Sequence, residues 1–398
     1  AGKEGLAQAT MDMLNEGFGK RDALQISAEL RKLGASLNGS AGDDGAGLSC
    51  SSLRSKVEPT LDLLADALLR PTFPAKEWDR VRGLWVDDIK QGRTNPGRIA
   101  TVVMNRVLFG NTYAGRSATE KSLASITIKD QQVWHKKYLA PSQTLILVGG
   151  DITLAELVPM LEARLKDWKT PAAKLPPAPT PPALAPTAVH LVNKEKAEQS
   201  VVRAAAYVAT PRDPDWMSFA AANVSVGGQF SSRLNLNLRE KQGFTYGART
   251  GVSYDLAGGS WTFNSGIHTE KTAPALVELF KELREVRAER PLSDKEVQDG
   301  RGALAGGFPG RFETPDYQLG QVDAIWTYNL PEDWVGTYMD RIGAVTTASA
   351  QSAFASRVDP DKLVLVVVGD AAKVRPEIEK LGLPVVLHDV DGNVILEK

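Results

Sequence analysis

Arg239 and Tyr246 stand seven residues apart in the stretch Ser231–Gly247, SSRLNLNLREKQGFTYG. A guanidinium presents a rigid fork of N–H donors, and a phenol adds one O–H. Peptide-bond hydrolysis needs such donors already in place around the oxyanion that develops on the attacked carbonyl. The plainer reading is that Arg239 complements a helix dipole and Tyr246 is half-buried sheet packing. Spacing alone favours the plainer one.

The elements that must position the pair can be read nearby. Leu234 and Leu238, at i and i+4, mark one apolar face of a helix over Ser231–Gln242. Gly243 is placed to stop it, because glycine takes positive φ cheaply. Phe244 and Tyr246 then alternate with Thr245 in a following strand. Ser232 and Arg233 precede the apolar face and read as structural.

Further out, the chain repeats itself. Thr127–Asp151 and Thr346–Asp370 align, with Pro141 on Pro360, Gly150 on Gly369 and Asp151 on Asp370. Each copy reads as a helix, a Pro turn, a buried β-branched strand (Leu145–Val148 and Leu363–Val368) and a Gly-Asp stop. Lys76-Glu77 and Lys295-Glu296 each open a helical stretch after a Pro-containing turn. An internal duplication is the simplest explanation. Seven of the 23 prolines fall in Pro171–Pro186, which forms a stiff extended connector. The division is an N-terminal α+β domain over 1–170, a Pro-rich linker over 171–187 and a C-terminal α+β domain over 188–398. The second copy has two strands, Ala188–Val192 and Val201–Val208, before its first helix at Trp216. The first copy has no room for them, so its first strands are expected to be missing from this chain.

Composition narrows the function classes. Apolar content of 42% and charged content of 24% describe a globular chain, and a net charge of −1 with no block of like charge argues against nucleic acid. The apolar runs are too short to span a bilayer. Cys50 is the only cysteine, which excludes a disulfide framework and a Cys-based zinc site. His135, His190, His268 and His388 show no ligand spacing and read as surface or packing residues. Gly42–Gly47 carries two acids that would repel phosphate, so it is a loop or hairpin.

The string SSRL…REK-Q-G-x-x-Y, together with the duplicated halves, resembles the pitrilysin/insulinase family of zinc metallopeptidases, which includes mitochondrial processing peptidase. That family carries zinc on an inverted H-x-x-E-H helix. The matching segment here is Gly5–Gly17, where Gln8 and Asp12 replace the histidines and Met11 replaces the catalytic Glu. Asp88 falls where the third ligand, a Glu, is expected. Gln8 and Asp12 keep the i, i+4 spacing, but an amide with two short carboxylates is a poor zinc set, so no metal is expected. Loss of the Glu would remove the chemistry even with metal bound.

The resemblance implies two homologous α+β domains, each a mostly antiparallel sheet backed by helices, facing each other as a clamshell. It implies that Arg239 and Tyr246 grip a substrate carbonyl opposite a zinc. It also implies that Asn38, Gly39 and Ser40 lie on an edge strand able to pair with peptide by strand addition, a plain structural edge being the alternative.

Retention of the gripping motif without the metal motif implies a non-catalytic subunit of a heterodimeric zinc metalloendopeptidase, inactive alone. A homologous H-x-x-E-H-bearing partner would hold the zinc, and unfolded or extended peptides would be substrates. The alternatives are a structural or scaffold subunit of a larger complex, or a peptide-binding protein that does not cut. The composition suits a bacterial periplasmic protein, with the mitochondrial matrix as the rival.

Overall fold

The computed structural model describes residues 2–175 and 177–396. The chain forms two compact units. One comprises Ala1–Lys90, Ser117–Pro177 and Pro315–Asp323, the other Gln91–Arg116, Ala178–Thr314 and Ala324–Lys398. Among the described residues no helix is long and apolar enough to cross a membrane.

The first unit is mainly helical. Its described strands form two antiparallel pairs: β1 (Gly17–Phe18) with β2 (Arg21–Asp22), and β3 (Ser36–Ala41) with β4 (Ala46–Ser51). The helix Leu6–Met13 packs on β3, and Ala9, Met11, Met13 and Leu14 join Phe73, Trp78, Val81 and Leu123 in one apolar cluster. The helix Ile128–Tyr138 opens on a Thr127 capping box, as the repeat predicts.

The second unit holds six strands: β5 (Ala188–Asn193), β6 (Gln199–Val208), β7 (Thr245–Asp255), β8 (Gly258–His268), β9 (Val364–Gly369) and β10 (Val385–His388). They form one sheet in the order β10-β5-β9-β6-β8-β7. The two pairs involving β5 are parallel and the other three antiparallel. On one face Trp261, Phe263 and Ile267 of β8 pack against the helices Trp216–Asn223, Thr272–Arg287 and Thr347–Arg357, where the Phe219 and Phe354 rings stack 5.8 Å apart. On the other face the helix Pro96–Phe109 lays Ile99, Val103 and Leu108 over Val364, Val366 and Val368 of β9. Burial on both sides explains why β9 is an unbroken apolar run from Val364 to Val368. That helix covers only the β5, β9 and β6 side, and the same face of β7 and β8 carries the exposed Tyr246, Arg249, Gly251, Asn264 and His268.

One expectation fails. Leu145–Val148, the counterpart of β9, is not a strand, and Ile146 and Val148 are 49% and 47% exposed. β9 is a strand because β5 and β6 flank it and take its backbone groups. Among the described residues no strand flanks Leu145–Val148, so a similarly apolar run forms no ladder.

The parallel pairing of β5 with β10 brings together two histidines that lie far apart in sequence. His190 Nδ1 is 2.9 Å from His388 Nε2, and His388 Nδ1 is 3.1 Å from the Gly392 carbonyl. A carbonyl only accepts, so His388 carries its proton on Nδ1 and its Nε2 accepts from His190. Burial, then the neighbouring His388, pushes His190 down to about 4 from its ordinary 6.5. A histidine depressed in the folded state gives stability that is full above its unfolded value and is lost as pH falls through the folded one. Acidification from pH 7 to 4.5 should therefore lower the denaturant midpoint. The His190→Leu variant should show a shallower fall over that window.

Candidate functional site

The segment that matches the zinc helix is closed by its own hydrogen bonds. Gln8 Nε2 donates to Asp12 Oδ1 at 2.5 Å, Trp85 Nε1 donates to Asp12 Oδ2 at 3.1 Å, and Gln8 Oε1 accepts the Ala41 N–H at 2.6 Å. Burial raises the Asp12 carboxyl above its ordinary value, against the opposing pull of the Gln8 and Trp85 bonds. Met11, at the position of the family's catalytic Glu, is 0% exposed and belongs to the apolar cluster. Asp88 is exposed on the helix Ala75–Gly92. Among the described residues no three His, Cys, Asp or Glu side chains converge. The donor atoms are committed within the protein and no imidazole is among them, so these residues do not fit zinc.

Among the described residues β3, the candidate peptide-pairing strand, is paired on one side only, with β4. Asn38 and Ser40 are exposed, and Gly39 lies against the helix Leu6–Met13. A Cβ at Gly39 would meet the Met11 carbonyl oxygen at 2.2 Å, which explains the glycine. Asn15 Nδ2 donates to the Leu37 carbonyl and Gln8 accepts from Ala41, so side chains already hold two groups of this strand's backbone.

The Arg–Tyr side is built differently from the simple helix expected. A single turn, Arg233–Asn235, passes into a π-helix over Leu236–Lys241, a wider coil that occurs mostly as isolated turns and frequently at functional sites. Leu234 and Leu238 are buried as expected, and Asn237 Nδ2 donates to Glu278 and Glu282. Gly243 takes φ 66° and ends the coil. β7 then carries a bulge between Thr245 and Ala248.

That bulge is anchored from below. Thr245 Oγ1 accepts the Gly247 N–H and the Ser265 hydroxyl and donates to the Gly266 carbonyl at 2.7 Å. Asn235, fully buried, accepts the Ala248 N–H at 3.0 Å and donates to the Phe230 carbonyl. A bulge re-aims the side chains it contains, and Tyr246 is turned out to 80% exposure. Among the described residues its hydroxyl has no hydrogen-bond partner, and its ring lies 6.2 Å from that of His268. Tyr246 is therefore not sheet packing. Arg239 stacks on the exposed Phe230 ring at 4.6 Å and lies 3.3 Å from Glu240, a solvent-facing pair of small energy.

Arg233 and Ser232 do not join the exposed group. Both are buried, and Arg233 forks onto Glu296 at 2.5 and 2.7 Å while donating to the Arg290 and Pro291 carbonyls. Burial would raise the Glu296 carboxyl, but Arg233 and the Ser293 cap outweigh it and hold it at about 2. Arg233→Ala leaves that carboxylate without its cation and should cost about 3 kcal/mol, read as a lower denaturant midpoint.

Sequence reasoning missed Asn235, Phe230, Arg249 and His268. His268 was accessible in principle: alternation outward from the Leu256-Ala257 turn sets the β7–β8 register, which places His268 near Tyr246.

Two family models match the chain: Insulinase (Peptidase family M16) over residues 2–120 and Peptidase M16 inactive domain over 125–304. This chain belongs to peptidase family M16. It is similar to the non-peptidase homolog YmxG of Helicobacter pylori, 20% identical over 373 residues, 93% of this chain and 85% of that protein. It is also similar to the uncharacterized zinc protease SCO5738 of Streptomyces coelicolor, 23% identical over 301 residues, 74% of this chain and 65% of that protein. Among solved structures, a peptidase M16 inactive domain from Pseudomonas fluorescens matches at a TM-score of 0.84 and 26% identity, covering 92% of this chain and 89% of that one. The match to an M16 inactive domain, the one relative described as a non-peptidase homolog and donor atoms unsuited to zinc agree with one another.

Proposed function

We propose that this M16 chain is the non-catalytic subunit of a heterodimeric zinc metalloendopeptidase. In that role Arg239 and Tyr246 bind and orient an extended peptide at a partner's H-x-x-E-H site. The observation that carries this reading is Tyr246. A bulge held by the buried Asn235 and Thr245 exposes a large aromatic side chain whose hydroxyl bonds nothing in the described protein. Such an arrangement contributes little to stability, and it suits a donor waiting for a ligand. The partner would supply metal and base, while this chain supplies preplaced donors that face the scissile carbonyl.

The test is hydrolysis of a quenched, unstructured peptide. The chain with added zinc should be silent. Mixed with a homologous H-x-x-E-H chain, it should give activity above that of the partner alone. Activity of this chain alone, or none from the mixture with any such partner, would count against the proposal.

A further inference from the structure

The open half of the sheet face beside Tyr246 carries an unusual charge pattern. Register pairs Arg203 of β6 with Asn264 of β8, and Asn264 with Arg249 of β7, so the three form one row across three strands. Neighbouring strands lie about 4.8 Å apart, which puts the two guanidiniums on backbones about 10 Å apart. Along β7, Arg249 follows Tyr246 on the same exposed side, and its guanidinium approaches the Phe230 ring at 5.6 Å. Phe230 thus has two cations on it, Arg239 and Arg249.

Among the described residues neither Arg203 nor Arg249 has a carboxylate partner. Between the ends of the strands the residues of this face are Gly251 and Ser253 on β7 and Ser260, Thr262 and Gly266 on β8, while on β6 Arg203 lies between Val201 and Ala205, which pack under the helix Pro96–Phe109. Among the described residues acids stand only at the margins: Asp255 at the end of β7, Glu198 and Glu270 beyond His268, and Glu240 beside Arg239. Residues 91–116, whose helix adjoins Arg203, contain four arginines and neither Asp nor Glu.

Arg203 is the telling member. Its Nη1 donates to Thr101 Oγ1 at 2.6 Å, a neutral acceptor, and its buried Nε has no partner among the described residues. Burial lowers its proton affinity. A partly desolvated guanidinium without an anion is costly and gains from one. Among the described residues Arg249 donates to the Gln229 and Ala248 carbonyls alone, at 3.3 and 3.4 Å.

We propose that this open face docks the acidic part of an extended peptide, with Arg203 and Arg249 binding its carboxylates and Asn264 its amides, next to the residue held by Arg239 and Tyr246. The proposal rests on the reading that Arg239 and Tyr246 grip peptide, and gives that peptide a chemistry: one or two Asp or Glu side chains near the gripped residue. A peptide is favoured over a nucleic acid because a few cations on a chain of net charge −1 neutralise too few phosphates.

The test is fluorescence anisotropy on the full chain at low salt. The probes are labelled 12-residue Gly/Ser/Ala peptides that are neutral, carry two Asp, or carry two Lys, plus a 12-nucleotide single strand. The Asp peptide should bind about tenfold tighter than the neutral one. That preference should fade with salt and vanish in Arg249→Gln, an exposed substitution whose melting curve should match wild type. Equal binding of all three peptides, weakened by Arg239→Ala, would overturn the acidic preference and leave the grip standing. An Asp preference that needs Arg249 but ignores Arg239→Ala and Tyr246→Phe would support the face and remove the grip. No peptide binding would remove both. Oligonucleotide binding as tight as the Asp peptide, with the same Arg249 dependence, would overturn it as a peptide site.

Discussion

Tyr246→Phe, introduced into the reconstituted peptidase, is expected to lower kcat by about 10²–10³-fold, the usual loss when one preplaced oxyanion donor is removed. The substitution keeps the ring and its contact with His268 and removes only the hydroxyl. The hydroxyl bonds nothing in the described protein and the side chain is 80% exposed, so stability should stay within about 0.5 kcal/mol of wild type. Arg239→Ala removes a charged fork that would hold the substrate before and during reaction, so KM should rise together with the fall in kcat. Steady-state kinetics on matched amounts of complex, with a melting curve for each variant, checks both. Unchanged kinetics with intact complexes would show that the exposed pair takes no part in catalysis.

The second large effect concerns the degenerate metal motif. Met11→Glu is expected to destabilise the first unit by about 3 kcal/mol or more, because it places a carboxyl in a fully buried apolar cluster with Phe73, Trp78, Val81 and Leu123. Rewriting the motif with Gln8→His, Met11→Glu and Asp12→His should therefore yield a poorly folded protein and not a zinc peptidase. The Gln8 bond to Ala41 would be lost in the same variant, loosening β3. Urea denaturation followed by tryptophan fluorescence, with zinc titration, measures it. A triple variant as stable as wild type that bound one zinc would mean that the first unit readily accommodates a restored site.

Much of this arrangement was legible in the residues, and the failures share a cause. Leu234, Leu238 and Gly243 read correctly because helix periodicity and glycine's positive φ are local properties. The helices that follow Thr127 and Thr346, the Pro turns and β9 were visible in the repeat. The π-helix and the Thr245–Ala248 bulge were not, since each depends on one buried side chain, Asn237 or Asn235, finding partners on another element. Leu145–Val148 misled because β composition describes fitness for a ladder and not the presence of flanking strands. The His190–His388 contact and the Arg203–Asn264–Arg249 row arise from strand register between distant segments, which no local pattern encodes.

Under the proposed function the exposed Tyr246 with Arg239 and the sealed metal motif divide the work: this chain would hold peptide and another chain would cut it. The most direct measurement is a titration of this chain into a fixed amount of an H-x-x-E-H-bearing homologue, following peptide hydrolysis. The account expects activity to rise and saturate at one chain per partner, with the Arg239→Ala/Tyr246→Phe double variant binding the partner equally well and giving almost no rise. A flat titration, or a double variant as effective as wild type, would contradict it.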